Sequence, residues 1–236
     1  LYRKIDAHPK VKKAFVGSGI RYDLLVDEFN KNNEDGNHDE YIEQVVTRHV
    51  SGRLKVAPEH TSDDTLRIMR KPSFKHFHTF KEKYDKIQAK HGLKQQLIPY
   101  FISSHPGCEE QDMANLAAET KDMGFQLEQV QDFTPTPMTV ATVIYYSGVH
   151  PYTLKPVFTA KTRDEKQNQN RFFFWYKKEN QNWIRAQLKK AKRPELITKL
   201  LDEGSQQNPK SSQGSKPVPK WLEERRKKDE QRRFKK

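Results

Sequence analysis

The chain has 236 residues and a formal net charge of +13, with 33% hydrophobic and 32% charged residues. The apolar share lies below the roughly 45–50% of an average globular domain. No apolar run approaches the roughly 20 residues that a membrane-spanning helix needs, so we expect no membrane partner. The one cysteine, Cys108, excludes an intrachain disulfide, and a reducing, cytoplasmic location is therefore the expectation.

The positive charge is confined to the last third of the chain. Residues 1–160 carry 21 basic and 21 acidic side chains, whereas residues 161–203 have an excess of six basic residues and residues 204–236 an excess of seven. The last segment is too poor in apolar side chains to offset the entropy lost on ordering. The sequence thus predicts a domain over 1–160, a basic helical extension over 161–203 and a disordered basic tail over 204–236.

Strands and helices are predicted to alternate along the first part of the chain. The predicted strands lie at residues 11–16, 54–57 (stopped by Pro58), 96–102 and 125–130. A polar loop is predicted at residues 31–40, and Pro99 predicts a sheet edge or a bulge. Helices are predicted at 41–50, 61–71, 73–91, 112–123, 139–147, 162–176, 180–192 and 194–201. This alternation indicates an α/β fold of parallel βα units.

Polar turns follow three of the predicted strands, and the carboxyl ends of parallel strands form the ligand-binding edge of α/β folds. The turn from Gly17 to Arg21 has glycines that admit a close ligand and a guanidinium that fits an anion. An ordinary turn with a surface arginine is the alternative that its spacing favours. Glu59 and His60 are either an acid/base pair in a cleft or part of a helix-capping turn.

Two further segments contain reactive or stacking side chains. Residues 103–108 combine serine, histidine and cysteine, but no orienting third group is evident, which disfavours hydrolase chemistry. The aromatic run from Phe172 to Tyr176 lies among basic residues and suits stacking on single-stranded nucleic acid. More often, however, such a run anchors a small helical module to its neighbour.

Five phrases in this order carry a more specific signal: Val16-Gly-Ser-Gly-Ile-Arg-Tyr-Asp-Leu24, His49-Val-Ser-Gly-Arg-Leu-Lys-Val-Ala-Pro-Glu-His60, Met69-Arg-Lys-Pro72, Pro99-Tyr-Phe-Ile-Ser-Ser-His-Pro-Gly-Cys108 and Val130-Gln-Asp-Phe-Thr-Pro-Thr-Pro-Met138. Together they closely resemble the carboxyl-terminal half of the YgiQ-type radical SAM proteins, an uncharacterised family, over roughly residues 9–200. The layout of residues 54–69 and 102–110 is also similar to that of methylthiotransferase-type radical SAM enzymes. The resemblance implies the second half of a (β/α)6 partial TIM barrel, followed by a family-specific extension.

The resemblance also implies a site for S-adenosylmethionine (SAM) at the strand ends. By position, Ser18 and Arg21 would approach the ribose or the methionine carboxylate, and Arg21 is the first choice because its planar fork matches a carboxylate. Lys55, Glu59 and His60 would lie at the next strand end. Ser103, Ser104 and His105 would lie near the adenine.

The [4Fe-4S] cluster of such enzymes cannot be ligated by this sequence. Radical SAM enzymes hold the cluster with three cysteines in a C-x-x-x-C-x-x-C loop, and here Cys108 is the one cysteine and matches none of them. The expectation is therefore a segment of a longer enzyme of unknown substrate, inactive by itself. The alternative is a nucleic-acid-binding or ribosome-binding module that acts through residues 161–236.

Overall fold

The elements follow one another in a βα pattern, and the computed structural model describes residues 2–26, 38–127 and 130–202. The helices before the first strand are Tyr2–Asp6 (α1), Asp23–Val26 (α2) and His38–Arg48 (α3). The central part comprises Arg53–Glu59 (β1), Asp63–Met69 (α4), Lys75–His91 (α5), Gln96–Ser103 (β2), Glu110–Asp122 (α6) and Gln131–Asp132 (β3). The last elements are Val140–Ser147 (α7), Arg163–Phe173 (α8), Lys178–Lys190 (α9), Pro194–Ile197 (α10) and a π-helical turn, Thr198–Asp202.

The strands form a parallel sheet in the order β1-β2-β3. Ile20 adds a single parallel bridge to Val56, on the β1 side. Neighbours in this sheet are therefore also consecutive along the chain, with helices in the connections. The α/β fold of parallel βα units is confirmed.

One hydrophobic core joins the sheet to the helices. Leu54 and Val56 of β1 and Phe101 of β2 are buried against helical side chains, of which Phe77 and Phe80 of α5 are fully buried. Phe172 and Phe173 of α8, Ile184 of α9 and Leu200 belong to the same core. Residue 160 therefore marks a change of charge and composition. As a domain boundary it stays a prediction.

Several local signals in the sequence have the expected effect. Ser62 is the N-cap of α4 and accepts a hydrogen bond from the Thr65 N–H at 3.5 Å. Gly92 ends α5 in the left-handed conformation, at φ +60°. Pro99 pairs with Val56 where the β1–β2 register shifts, which agrees with the predicted irregularity at this proline.

Three strand predictions are corrected. Residues 11–16 form no strand, because Phe15 is 49% exposed and the run has no continuous buried face; only Ile20 reaches the sheet. Pro58 does not stop β1, which continues through the register shift to Glu59. Residues 125–127 are irregular, residues 128–129 lie outside the described part of the chain, and the third strand there is Gln131–Asp132.

Some predictions fall outside the described residues. They include the tail over 204–236 and most of the loop over 31–40, although residues 38–40 of that loop are helical and begin α3. Within the described ranges, no helix is long and apolar enough to cross a membrane.

Candidate functional site

The carboxyl ends of the parallel strands meet at one edge of the sheet, which we call the strand-end site. Glu59 and His60 lie at the end of β1, and Ser103, Ser104 and His105 lie at the end of β2. The structure thus brings together five of the eight residues predicted from the sequence.

His60 is fully buried and held in one tautomer. Its Nδ1 accepts a hydrogen bond from the Ser62 N–H at 2.9 Å, so the proton of the neutral ring lies on Nε2, 3.3 Å from the Cys108 Sγ. Burial, assisted by the nearby His105, lowers the pKa of His60 to about 3. The ring is therefore neutral at pH 7 and acts as a fixed hydrogen-bond donor to sulfur.

Cys108 is a buried thiol rather than an activated nucleophile. Burial raises its pKa well above the usual range, and the charges of Asp112 and Glu109 raise it further. The thiol donates to the Gln169 Oε1 at 3.3 Å and accepts from the His60 ring. The Cys108–His60 contact is therefore structural at neutral pH, in keeping with the disfavoured hydrolase interpretation.

Gln169 of α8 closes the end of β2 with three hydrogen bonds. Its Oε1 accepts from the Ser104 backbone N–H at 2.7 Å as well as from the Cys108 thiol, and its Nε2 donates to the Cys108 carbonyl at 2.6 Å. Gln169 is only 1% exposed. The first helix of the basic extension thus supplies a wall of the strand-end site.

The neighbouring Asn170 binds the ends of two strands. Its Nδ2 donates to the Asp132 carboxylate at 3.1 Å, and its Oδ1 lies 2.9 Å from the Ser103 hydroxyl, which also contacts Asp132. The Ser103 hydroxyl is thus hydrogen-bonded within the protein. It joins β2, β3 and α8.

Ser104 has the features of a ligand-binding residue. It adopts φ +60°, in the left-handed region that non-glycine residues rarely enter, and it is fully buried. Its hydroxyl has no hydrogen-bond partner among the described residues. Glu59, at the end of β1, also has a positive φ of 70° and pairs with Lys71 at 3.2 Å. Backbone strain of this kind is concentrated at binding and catalytic sites.

His105 lies next to Ser104 and is 6% exposed. Its Nδ1 donates to the Pro106 carbonyl at 2.9 Å, so the Nε2 of the neutral ring is an acceptor. Burial lowers the pKa of His105, which favours this neutral form. The Phe133 ring lies edge-on at 4.9 Å between centroids and covers the imidazole.

The other three predicted residues lie apart from this cluster. Arg21 follows Ile20, but its guanidinium is 65% exposed and forms a bidentate pair with Asp23, at 2.8 Å and 2.6 Å. Ser18 is exposed two residues before Ile20. Lys55 is the third residue of β1, away from the strand end, and its Nζ lies 6.0 Å from the Tyr100 ring centroid.

Sequence reasoning missed Asp132, Gln169 and Asn170. They lie 29 to 67 residues from the serines that they contact, so local spacing does not reveal them. One feature of the sequence could have pointed to Gln169 and Asn170: the run of four amides Gln167-Asn-Gln-Asn170, which is unusual within a helix.

The strand-end site is not suited to an iron–sulfur cluster. Among the described residues, no group of three or more histidine, cysteine or acidic side chains could hold a metal ion. Cys108, the one cysteine of the whole chain, is already hydrogen-bonded to the His60 ring and to the Gln169 side chain.

Comparisons with known proteins find relatives named UPF0313 proteins. The chain is 57% identical to one from Porphyromonas gingivalis over 202 residues, which are 86% of this chain and 32% of that protein. It is 58% identical to one from Bacteroides thetaiotaomicron over 200 residues, 85% of this chain and 32% of the relative. A Methanocella arvoryzae relative is 40% identical over 197 residues, 84% of this chain and 31% of the relative. The chain thus spans about a third of the length of these curated relatives.

Residues 128–230 also match a family model described as a domain of unknown function, DUF3362. The chain is therefore homologous to UPF0313 proteins and carries a DUF3362 segment. Neither name states an activity. The DUF3362 segment includes Asp132, Gln169 and Asn170, which close the strand-end site.

Proposed function

We propose that this chain forms the SAM- and substrate-contacting part of a radical SAM enzyme. The observation that carries the proposal is Ser104, a strained, buried residue at the end of β2 whose hydroxyl has no partner among the described residues. It lies where parallel α/β folds bind ligands. The resemblance to YgiQ-type proteins supplies the identity of the ligand.

The sheet supports the proposed partial barrel. The parallel order Ile20, β1, β2, β3 follows the chain, as it does in (β/α) barrels. Residues of one face, such as Val56 and Phe101, are buried in the core, whereas Tyr100 and Ile102 of the opposite face are only half-buried. Such a face suits the interior of a barrel that further strands would complete.

The strand-end residues fit SAM in part. The Ser104 hydroxyl and the His105 Nε2 could bond the polar edge of the adenosyl group, and Ser103 would act by holding the end of β2. Arg21 fits the methionine carboxylate only if that carboxylate replaces Asp23 in its bidentate pair. When bound, SAM supplies the 5′-deoxyadenosyl group with which such enzymes abstract hydrogen from a substrate.

The cluster would have to come from other polypeptide. The relatives are about three times as long as the matched region, and their additional length could contain the cysteine motif. No step of the chemistry is assigned to Cys108, because its thiol is buried and hydrogen-bonded.

Two measurements test the proposal. Titration calorimetry of this chain with SAM should show binding that Ser104→Ala weakens by about 2- to 10-fold, the effect of one lost hydrogen bond. Ser51→Ala, at an exposed serine before β1, is the control and should bind normally. The full-length Porphyromonas gingivalis relative, reconstituted anaerobically with iron and sulfide, should release 5′-deoxyadenosine from SAM. A relative with an intact cluster and no such product would refute the assignment.

Nucleic-acid binding through residues 161–236 remains the alternative proposal. Phe172 and Phe173 are buried, so they cannot stack on bases, whereas Lys178, Lys189 and Lys190 are exposed. The alternative now depends on these lysines and on the half-exposed rings of Phe174, Trp175 and Tyr176.

A further inference from the structure

Exposed aromatic side chains are concentrated on a different surface from the one that the sequence suggested. Tyr146, in the last turn of α7, is 70% exposed; Tyr152 and Phe158, between α7 and α8, are 66% and 41% exposed. We call this surface, with Arg70 beside it, the aromatic rim. Leu154, in the same turn as Tyr152, and Met138, before α7, are also highly exposed and adopt positive φ values of 55° and 66°.

The aromatic rim connects to the strand-end site at two points. The Phe158 carbonyl accepts a hydrogen bond from the Gly107 N–H at 2.8 Å, in the turn that follows β2. Phe133, whose ring packs on His105, contacts Tyr145, and Tyr145 contacts Tyr146, with centroids 5.7 Å and 5.3 Å apart. A molecule bound on the rim would therefore lie beside Ser104 and His105.

The segment that forms most of the rim is basic, although the Glu165 carboxylate of α8 accepts a hydrogen bond from the Lys161 backbone N–H at 2.9 Å. Neither Asp nor Glu occurs from Phe133 to Arg163, whereas Lys155 and Lys161 do. The Arg70 guanidinium lies 5.0 Å from the Tyr152 ring centroid, and Arg70 is held at φ +57° at the end of α4. A second cation, Lys166, lies 5.5 Å from the Tyr145 ring. An excess of cations beside exposed rings complements a polyanion whose flat groups can stack.

We propose that the aromatic rim binds single-stranded nucleic acid and presents it to the strand-end site. The proposal rests on the proposed function, whose substrate class it names. Bases would stack on Tyr146 and Tyr152, while Arg70, Lys155 and Lys161 would contact phosphates. A protein partner would also use exposed apolar side chains, but the excess of cations and the cation–ring pairs favour the polyanion.

The test is fluorescence anisotropy of the full chain with a labelled single-stranded RNA, in 50–300 mM salt and without SAM or cluster. The variant Tyr146→Ala/Tyr152→Ala should raise the Kd about tenfold or more, since each stacked base contributes about 1–3 kcal/mol. It removes no charge, so the salt dependence should keep its slope. Arg70→Gln/Lys155→Gln should weaken binding and reduce the slope of log K against log salt by about 1.4.

The matched control is Lys189→Gln/Lys190→Gln, which removes two exposed charges at the end of α9. This variant should bind like the parent chain. Loss of binding in it alone would move the site to the extension and overturn the proposal. Absence of RNA binding at 50 mM salt would overturn it too, as would rim variants that affect only self-association or binding to anionic vesicles. Because no SAM is present, failure here would leave 5′-deoxyadenosine formation by the relative as a separate result.

Discussion

Gln169 reaches from α8 into the interior and forms hydrogen bonds with three buried polar groups: the Ser104 N–H, the Cys108 thiol and the Cys108 carbonyl. Replacement by leucine, of similar size, should leave the Ser104 N–H and the Cys108 carbonyl unbonded. Each such group costs about 1–3 kcal/mol, so Gln169→Leu should lower the free energy of unfolding by about 2–4 kcal/mol.

Urea unfolding measures this loss, and Gln167→Leu is the control because Gln167 is exposed on the same helix. A loss below about 0.5 kcal/mol in Gln169→Leu would show that the three bonds contribute little.

His60 gives the protein a defined response to mild acid. Its pKa is about 3 in the folded chain and about 6.5 when unfolded, so between these values the unfolded state binds the additional proton. Above pH 6.5 the ring is neutral in both states, and His60 then has no effect on the pH dependence of stability. As the pH falls from 6.5 towards 3, protonation of the unfolded state lowers the free energy of unfolding. Between pH 7.5 and pH 5 the loss should be about 2 kcal/mol.

The variant His60→Asn removes the titration and retains an acceptor for the Ser62 N–H. Its unfolding free energy should therefore fall about 2 kcal/mol less than that of the parent chain over this range, as measured by urea unfolding at each pH. Equal pH dependence in the two proteins would mean that His60 is protonated in the folded state.

The residues of the strand-end site were only partly predictable. Glu59 ends β1, and His60, Ser104 and His105 come just after β1 or β2, so recognising these two strands was enough to place all four residues. Gln169 could not be found this way, because a contact across 65 residues depends on how α8 packs. Arg21 differs from its predicted role for another reason: the carboxylate of Asp23, two residues away, is within reach and pairs with the guanidinium.

At the scale of elements, α8 shows how a mostly polar helix can be fixed to the core by a few buried side chains. Its run contains Phe172 and Phe173, which enter the core beside α6, while Arg171 lies over the Trp183 ring at 4.7 Å. The sequence left stacking and anchoring open. For Phe172 and Phe173 the structure supports the second interpretation, because both rings hold α8 against the core.

The variant Phe173→Ala should lower the free energy of unfolding by about 3–5 kcal/mol, because it opens a cavity in a packed core. Tyr146→Ala, at a 70% exposed ring, should change it by less than about 0.5 kcal/mol. Thermal or urea unfolding of both variants compares the two positions directly. Similar losses in the two would show that Phe173 is not part of the core.

Helices were predicted more successfully than strands, for a physical reason. α5 carries Phe77, Phe80 and Tyr84 at helical spacing, and Gly92 ends it, so its own sequence contains the necessary information. A strand exists only where a neighbour pairs with it. Residues 11–16 have suitable strand composition, but only Ile20 pairs with β1, and β3 is limited to the two residues that reach β2.

At the scale of the whole molecule, the charge division at residue 160 does not coincide with a break in the core. The sheet, α6, α8 and α9 share buried side chains, and within the part of the chain that the structure describes this core extends to Leu201. A chain that ends at residue 160 would lose Phe172, Phe173 and Ile184 and would expose the surfaces of α6 and β2 that they cover.

We therefore expect residues 1–160 alone to unfold without cooperativity and to be digested rapidly by proteases, whereas residues 1–202 should keep the unfolding midpoint of the full chain. Circular dichroism during thermal unfolding and limited proteolysis measure the difference. A cooperative transition in the 1–160 chain would contradict the shared core and would establish residue 160 as a domain boundary. The same shared core means that deleting residues 161–236 cannot test nucleic-acid binding cleanly, because the deletion would remove the fold as well as the charge. Point substitutions at exposed residues avoid this difficulty, since they change the charge and leave the buried side chains in place.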